Sequence, residues 1–304
     1  CYQNKNEKLM TTEVANMIIE KIDRILNDNI FEGINIHYFG GEPLLNIPVL
    51  IYLDENIKKI TDKIGIVYKA FLTTNGSMLS KELLQKVKFS SIQLTFDGLE
   101  KTHDRLRVSD HFHFKEEIEL IENIMNFSQA KVLLRTNICK ENKDEIIALH
   151  KYIFEKFGNE RIEINPNRTI KYHQDDSFEM LSVQEYAEVA YQIKLLWSEQ
   201  KGKFELPVPR STPCKFPYGN AYAISPEGYC TFCSGSMDQE KKYFFDVDIE
   251  NKKMFSVRKE CKKCNILPLC LGGCIIQYNL RAGACTYEKY ELKNILISYI
   301  KHIS

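Results

Sequence analysis

The stretch Ile34-Asn35-Ile36-His37-Tyr38-Phe39-Gly40-Gly41-Glu42-Pro43 reads as a strand that empties into a glycine turn. Ile34, Ile36 and Tyr38 alternate with Asn35 and His37, the pattern of a strand with one buried face. Gly40 and Gly41 let backbone approach a ligand with no Cβ in the way, and Pro43 stiffens the exit. Upstream, Val14, Met17, Ile18, Ile22 and Ile25 share one face of a helix over 11–27, with Thr11 and Thr12 as N-cap candidates and Glu13 in the first turn. Downstream the pattern repeats. A helix over 48–63 leads to a strand over 66–73 that ends in Thr74-Asn75-Gly76, and a helix over 81–87 leads to a strand over 92–96 that ends in Asp97-Gly98. A helix over 115–127 precedes a strand over 132–138, and a helix over 144–157 stops at Gly158, a C′ glycine, before a strand over 161–165.

Five helices and five strands in strict alternation predict an α/β fold, a barrel or a doubly wound sheet. In either, chemistry sits at the carboxyl ends of the strands, where Gly40-Gly41-Glu42, Thr74-Asn75-Gly76, Asp97-Gly98 and Asn137 all fall. Residues 167–177 are polar and aperiodic and read as a linker, followed by a helix over 183–200 with the sole tryptophan, Trp197, and a Pro-rich segment over 207–213. A last helix spans 287–303.

Composition excludes several functions. With 304 residues and 44% hydrophobic content, the chain can bury one large core plus a smaller unit. Lys plus Arg equal Asp plus Glu at 41 each, without a basic block, so no nucleic-acid partner is expected. The longest apolar runs fall well short of the roughly 18 residues that span a bilayer, so no membrane role is expected either. The start has no export-signal pattern, and the cytoplasm is the expected location. In such a chain, cysteines read as metal or redox ligands rather than disulfides. Eight of the ten cysteines fall between Cys214 and Cys285, enough thiolate for two four-ligand sites.

A Gly-Gly turn alone is usually only a turn, and Thr-Asn-Gly is equally weak. Their order is what is specific. Phe39-Gly-Gly-Glu-Pro43, then Thr74-Asn75-Gly76, then Thr95-Phe96-Asp97-Gly98 followed by His103-Asp104-Arg105-Leu106-Arg107 resembles the ordered signature of the radical SAM superfamily. The resemblance implies a partial (β/α)6 barrel lacking its first strand, a catalytic 4Fe-4S cluster and S-adenosyl-L-methionine (SAM). By that resemblance Gly40, Gly41 and Glu42 cradle the methionine amine with Pro43 setting the turn. Thr74, Asn75 and Gly76 join the cofactor site, Thr95 and Asp97 face the ribose, and Arg135 or Asn137 reaches the carboxylate. Cys1-Tyr2-Gln3-Asn4 looks like the remnant of the Cys-x3-Cys-x2-Cys motif, with Cys1 its last ligand. On that expectation five of six βα units remain and the chain as written is inactive, since one thiolate cannot hold the catalytic cluster.

The tail allows a zinc reading, because Cys230-x2-Cys233 with Cys261-x2-Cys264 suits a zinc ribbon. Its full spacing, however, is similar to the SPASM extension of radical SAM proteins: Cys214, Gly228-x4-Cys233, Cys261-x2-Cys264-x5-Cys270-x3-Cys274, then Cys285. All-thiolate ligation is also what 4Fe-4S clusters use. The resemblance implies two auxiliary clusters, one on Cys214, Cys233 and Cys274, the other on Cys261, Cys264, Cys270 and Cys285. Cys230 either completes the first or stands by while that cluster keeps an open iron.

Cys139 reads as a small buried residue, His37 as a satisfied core histidine, and His103 and His173 as surface loop residues. An inward Arg135 needs an anionic partner, either a barrel carboxylate or the carboxylate of SAM. The expected domains are a barrel over 1–168, a bridging helix and linker over 169–213, and a cysteine-rich SPASM domain over 214–304.

The resemblance implies an enzyme that cleaves SAM reductively to a 5′-deoxyadenosyl radical, which abstracts hydrogen from a peptide or protein. Crosslinking, thioether formation and epimerisation are the outcomes expected, with an electron donor such as flavodoxin or ferredoxin. An anaerobic sulfatase-maturating enzyme is the alternative, disfavoured because those enzymes place an acid after an auxiliary-cluster cysteine whereas Thr231 follows Cys230 and Ser234 follows Cys233. A non-catalytic, metal-stabilised peptide-binding protein is a third reading.

Overall fold

In a computed structural model, residues 8–28, 30–107, 112–158, 161–171, 178–211, 221–231, 242–246, 257–274 and 285–303 are described. The predicted strands form one sheet. β1 (Gly33–Tyr38), β2 (Val67–Thr73), β3 (Phe89–Thr95), β4 (Lys131–Ile138) and β5 (Ile162–Arg168) lie side by side in chain order, each parallel to the next. A doubly wound sheet reverses its strand order at a switch point. This sheet never reverses, so successive right-handed crossovers lay their helices on one face, the arrangement of a partial barrel.

The longer helices form where the apolar period is 3.6, and some of them stop where the backbone turns left-handed. α1 (Thr12–Asp28) precedes the sheet, and α2 (Ile47–Ile64), α3 (Lys81–Lys86), α4 (Glu100–Leu106), α5 (Phe114–Phe127) and α6 (Lys143–Phe157) cross between strands. α2 ends at Gly65 with φ 77° and α6 at Gly158 with φ 41°, both of which a Cβ would penalise. α7 (Val183–Lys201) opens with a reciprocal capping box between Ser182 and Glu185. Ile92 and Leu94 of β3, Val132 and Leu134 of β4, and Ile121 and Ile124 of α5 are fully buried between sheet and helices. The opposite face of the sheet is polar and half-buried, carrying Gln93, Arg135, Asn137, Asn165 and Asn167.

Several expectations need correction. The strand phase that buries Tyr38 turns His37 to the other face, where it is exposed and bonds Thr73 Oγ1 through Nε2 at 2.8 Å; it is not a core histidine. His103 is not on a surface loop: it lies in α4 and is 3% exposed. The helix escaped notice because Glu100-Lys101-Thr102-His103-Asp104 has no apolar stripe. β5 runs on through Pro166, which a last strand tolerates because its outer edge needs no donor. Cys139 is buried as expected, and His173 lies outside the described residues.

Beyond α7 a small antiparallel sheet joins β6 (Ala223–Ile224), β7 (Tyr229–Thr231) and β8 (Lys242–Tyr243). It rests on α1. Lys21 Nζ donates to the Phe245 carbonyl at 3.0 Å, and the Arg24 guanidinium lies 4.4 Å from the Phe245 ring centre. The single-turn helix α8 (Leu267–Cys270) follows, and α9 (Glu288–Ile303) packs along α7, where Lys194 reaches both carboxylate oxygens of Glu291 at 2.7 and 2.9 Å. Among the described residues no helix is long and apolar enough to cross a membrane.

Leu94→Ala would leave a cavity where the sheet meets its helices. It is expected to lower stability by about 3 kcal/mol in denaturant unfolding, without changing the denaturant slope.

Candidate functional site

The loops after β1 and β2 are built around one carboxylate. Gly40 and Gly41 have φ of 93° and 55°, and nothing lies within 4 Å of where a Cβ on Gly41 would sit, so conformation rather than space demands glycine there. The turn throws Glu42 across to the next strand. Its Oε1 accepts from the Leu44 amide at 3.1 Å, capping the 3-10 turn Pro43–Asn46, and from Thr74 Oγ1 at 2.6 Å. Its Oε2 accepts from the Asn75 amide at 2.7 Å. Thr74 Oγ1 in turn accepts from the Gly76 amide at 3.0 Å, and at Gly76, with φ 88°, a Cβ would sit 2.5 Å from Leu120. The side chain of Glu42 is thus occupied in joining the two strand ends, and the groups the turn leaves toward a ligand are backbone.

A second knot joins β3 to β4. Asp97 Oδ1 accepts from the Asn137 amide at 3.1 Å and Oδ2 from Arg107 at 3.4 Å. Asn142 Nδ2 bonds the carbonyls of both Asp97 and Asn137 at 2.8 Å, while its Oδ1 accepts from the Cys139 amide at 2.9 Å. Asn142 was not among the residues singled out from sequence. Preceding α6, it would pass as an ordinary N-cap, yet it makes no cap bond and turns inward. Thr95 is buried and stands beside Arg135 in the β3–β4 register. Arg135 Nε donates to Asn137 Oδ1 at 2.9 Å, and Asn165 Nδ2 donates to Gln93 Oε1 at 3.1 Å, so the polar face is a bonded lining.

Behind this lining sits a buried pair. His103 Nδ1 accepts from the Asp97 amide at 3.4 Å, which leaves the ring proton on Nε2 to donate to Glu117 Oε2 at 3.2 Å. Burial pushes the Glu117 carboxyl up to about 8, against the smaller opposing pull of Arg107. Burial also pushes His103 down to about 4, assisted by Arg107. The two therefore meet as a neutral hydrogen-bonded pair rather than as ions.

In the cysteine-rich part, Cys261, Cys264, Cys270 and Cys285 line one cavity and none is in a disulfide. A single zinc ion would hold sulfurs about 2.3 Å from its centre. No group of three His, Cys, Asp or Glu side chains converges on one ion in this way among the described residues. The cavity also holds Thr286, whose buried hydroxyl has no partner among the described residues. Four thiols and an orphaned hydroxyl around one space are a donor set whose chemistry suits an iron-sulfur cluster, with the hydroxyl able to donate to it. Cys274 is exposed, and Cys230 on β7 is buried within the apolar core. Cys1, Cys214 and Cys233 lie outside the described residues.

Glu42→Ala is expected to cost about 1–3 kcal/mol, since it leaves the Thr74 and Asn75 donors unpaired, and to speed hydrogen exchange at the Leu44 and Asn75 amides. The buried pair predicts a pH signature. Glu117, raised from 4.5 to about 8, contributes stability present at low pH and lost as pH rises toward 8, while His103, lowered from 6.5 to about 4, contributes stability lost as pH falls below 6.5. The effects oppose one another below 6.5. From about 6.5 to 8 only Glu117 acts, so stability should fall across that window, and Glu117→Gln should flatten it in pH-resolved unfolding.

The sequence matches no described protein-family profile and no curated protein. Solved structures do resemble it. Native anSMEcpe with bound AdoMet superposes with a TM-score of 0.71 at 16% identity, over 99% of this chain and 93% of that one. The same protein with AdoMet and the Kp18Cys peptide gives 0.69 at 17% identity, over 98% and 92%. SuiB of Streptococcus suis bound to S-adenosylmethionine gives 0.56 at 17% identity, over 94% of this chain and 69% of that one. At such identities the likeness is one of fold alone: this chain shares the α/β architecture of these solved structures, with a five-strand parallel sheet consistent with a partial barrel.

Proposed function

We propose that this chain carries the SAM-binding and auxiliary-cluster parts of a radical SAM enzyme that modifies a peptide or protein, with auxiliary 4Fe-4S clusters in its cysteine-rich part and Cys1 as one of the catalytic cluster's ligands. One observation carries the reading: the loops after four neighbouring parallel strands are tied together at one end of the sheet, by Glu42 across β1 and β2 and by Asp97 and Asn142 across β3 and β4. A rigid, glycine-containing rim of this kind suits a ligand with an amine, a carboxylate and a ribose. Because Glu42 is engaged, amine recognition falls to carbonyl groups of the Gly40-Gly41 turn, with Thr74, Asn75 and Gly76 beside them. Arg135, steadied by Asn137, takes the carboxylate, and Thr95 with the Asp97 loop takes the ribose. When bound, a reduced catalytic cluster and SAM supply the 5′-deoxyadenosyl radical. The protein orients the pair and keeps water from it.

Cys261, Cys264, Cys270 and Cys285 hold one auxiliary cluster; Cys214, Cys233 and Cys274 serve the other. Burial of Cys230 in the β7 core supports its role as a bystander. The barrel over 1–168, the bridge over 169–213 and the cluster domain over 214–304 divide these tasks. Crosslinking, thioether formation or epimerisation of a peptide is favoured over sulfatase-type maturation, since no acid follows Cys230 or Cys233. Flavodoxin or ferredoxin supplies the electrons.

Anaerobic reconstitution tests the reading. Iron and acid-labile sulfide should bind in nearly equal amounts, and Cys261→Ala should remove about one cluster's worth. Arg135→Ala should weaken SAM binding by about tenfold or more in equilibrium dialysis, the loss of a charge-assisted contact. Zinc at the four-cysteine site without iron or sulfide would overturn the proposal.

A further inference from the structure

We infer that Arg258 is a positioning residue for the cluster on Cys261, Cys264, Cys270 and Cys285: its guanidinium closes the ligand loop and raises the cluster's reduction potential. The inference rests on the cluster assignment proposed above.

The geometry is local and specific. Arg258 Nη2 lies 3.5 Å from Cys261 Sγ, and the same nitrogen donates to the Gly272 carbonyl at 2.8 Å. The Gly272 amide in turn donates to Cys270 Sγ at 3.4 Å. One guanidinium therefore spans the loop from its first thiolate to the turn beyond its third. That turn needs holding. Leu271, Gly272 and Gly273 run consecutively through positive φ, at 47°, 87° and 70°, and Leu271 is the sole non-glycine residue among those described to do so. A Cβ on Gly273 would sit 2.3 Å from Thr286 Cγ2, so the turn packs directly against the neighbour of Cys285. Fixing Gly272 thus also fixes the approach of the fourth thiolate.

The electrostatics follow. A cluster held by four thiolates is anionic and gains further negative charge when it accepts an electron, so a cation in hydrogen-bond range of a ligand sulfur favours the reduced form. Arg258 meets that condition with a side chain only 24% exposed. Lys289 lines the same cavity but is exposed, where solvent screens its charge. Glu260 faces Arg258 Nε at 3.5 Å from a side chain 59% exposed, which weakens its opposition. Lysine cannot replace this arginine fully, because an ammonium lacks the planar fork that serves sulfur and carbonyl together.

The test is an EPR-monitored redox titration of the full chain, reconstituted anaerobically and reduced with dithionite. The relevant signal is the one lost in Cys261→Ala. Arg258→Met should lower its potential, so that at the wild-type midpoint the reduced-to-oxidised ratio falls about tenfold, or about 59 mV for one electron. Arg258→Lys should recover part of the shift. Loss of this cluster's iron from Arg258→Met but not from Arg258→Lys would equally support the closing role. Full iron and an unchanged midpoint in both variants would overturn the inference. If Cys261→Ala leaves the iron and sulfide content of the wild-type chain unchanged, the cluster assignment itself fails, a result distinct from any change at Arg258.

Discussion

Three donors converge on the carboxylate of Glu42, and the working end of the sheet depends on that convergence. Parallel strands joined by long crossovers have no short turn to set the relative position of their ends. Their loops would drift were it not for side chains that bridge from one strand tip to the next. Glu42 does this for the first pair, and Asp97 with Asn142 does it for the third and fourth. The price is that both acids spend their oxygens on the protein. What faces outward is then mainly backbone, together with the amides and guanidinium of the polar sheet face.

That polar face bears on how a molecule without net charge can recognise a ligand. A chain with equal numbers of acidic and basic residues carries no net charge to draw an ionic ligand from afar. Recognition must come from groups held at short range. Arg135 is bonded to Asn137 within β4, and Asn165 of β5 to Gln93 of β3, which fixes the orientation of each pair before any ligand arrives.

Much of the architecture was legible because it rests on period. The alternation of Ile34, Ile36 and Tyr38 against Asn35 and His37, repeated in later strands, located every strand of the parallel sheet to within a few residues. What escaped was what period does not encode. α4 is polar except for its last residue, Leu106, and is held by contacts such as Thr102 Oγ1 to Glu145, 43 residues away. β6, β7 and β8 are two or three residues long, too short for any pattern. Within the site, glycines and their neighbours could be read from the chain, since a left-handed turn leaves few alternatives. The partners of Glu42 could not, because they lie on another strand. Asn142 was hidden by resemblance to a helix cap, and His103 with Glu117 by a separation that only the fold closes.

Thiol accessibility divides the described cysteines into two chemical populations. Cys139 is buried, and burial raises its thiol above the ordinary range, so little thiolate forms and little reagent reaches it. Cys230, Cys261 and Cys270 are likewise enclosed, whereas Cys264, Cys274 and Cys285 are at least partly open. Among the described cysteines, an alkylating reagent applied to metal-free protein therefore reports on Cys264, Cys274 and Cys285 and hardly at all on the parallel sheet. The chain carries, in effect, its own silent internal standard alongside the sulfurs whose occupancy matters.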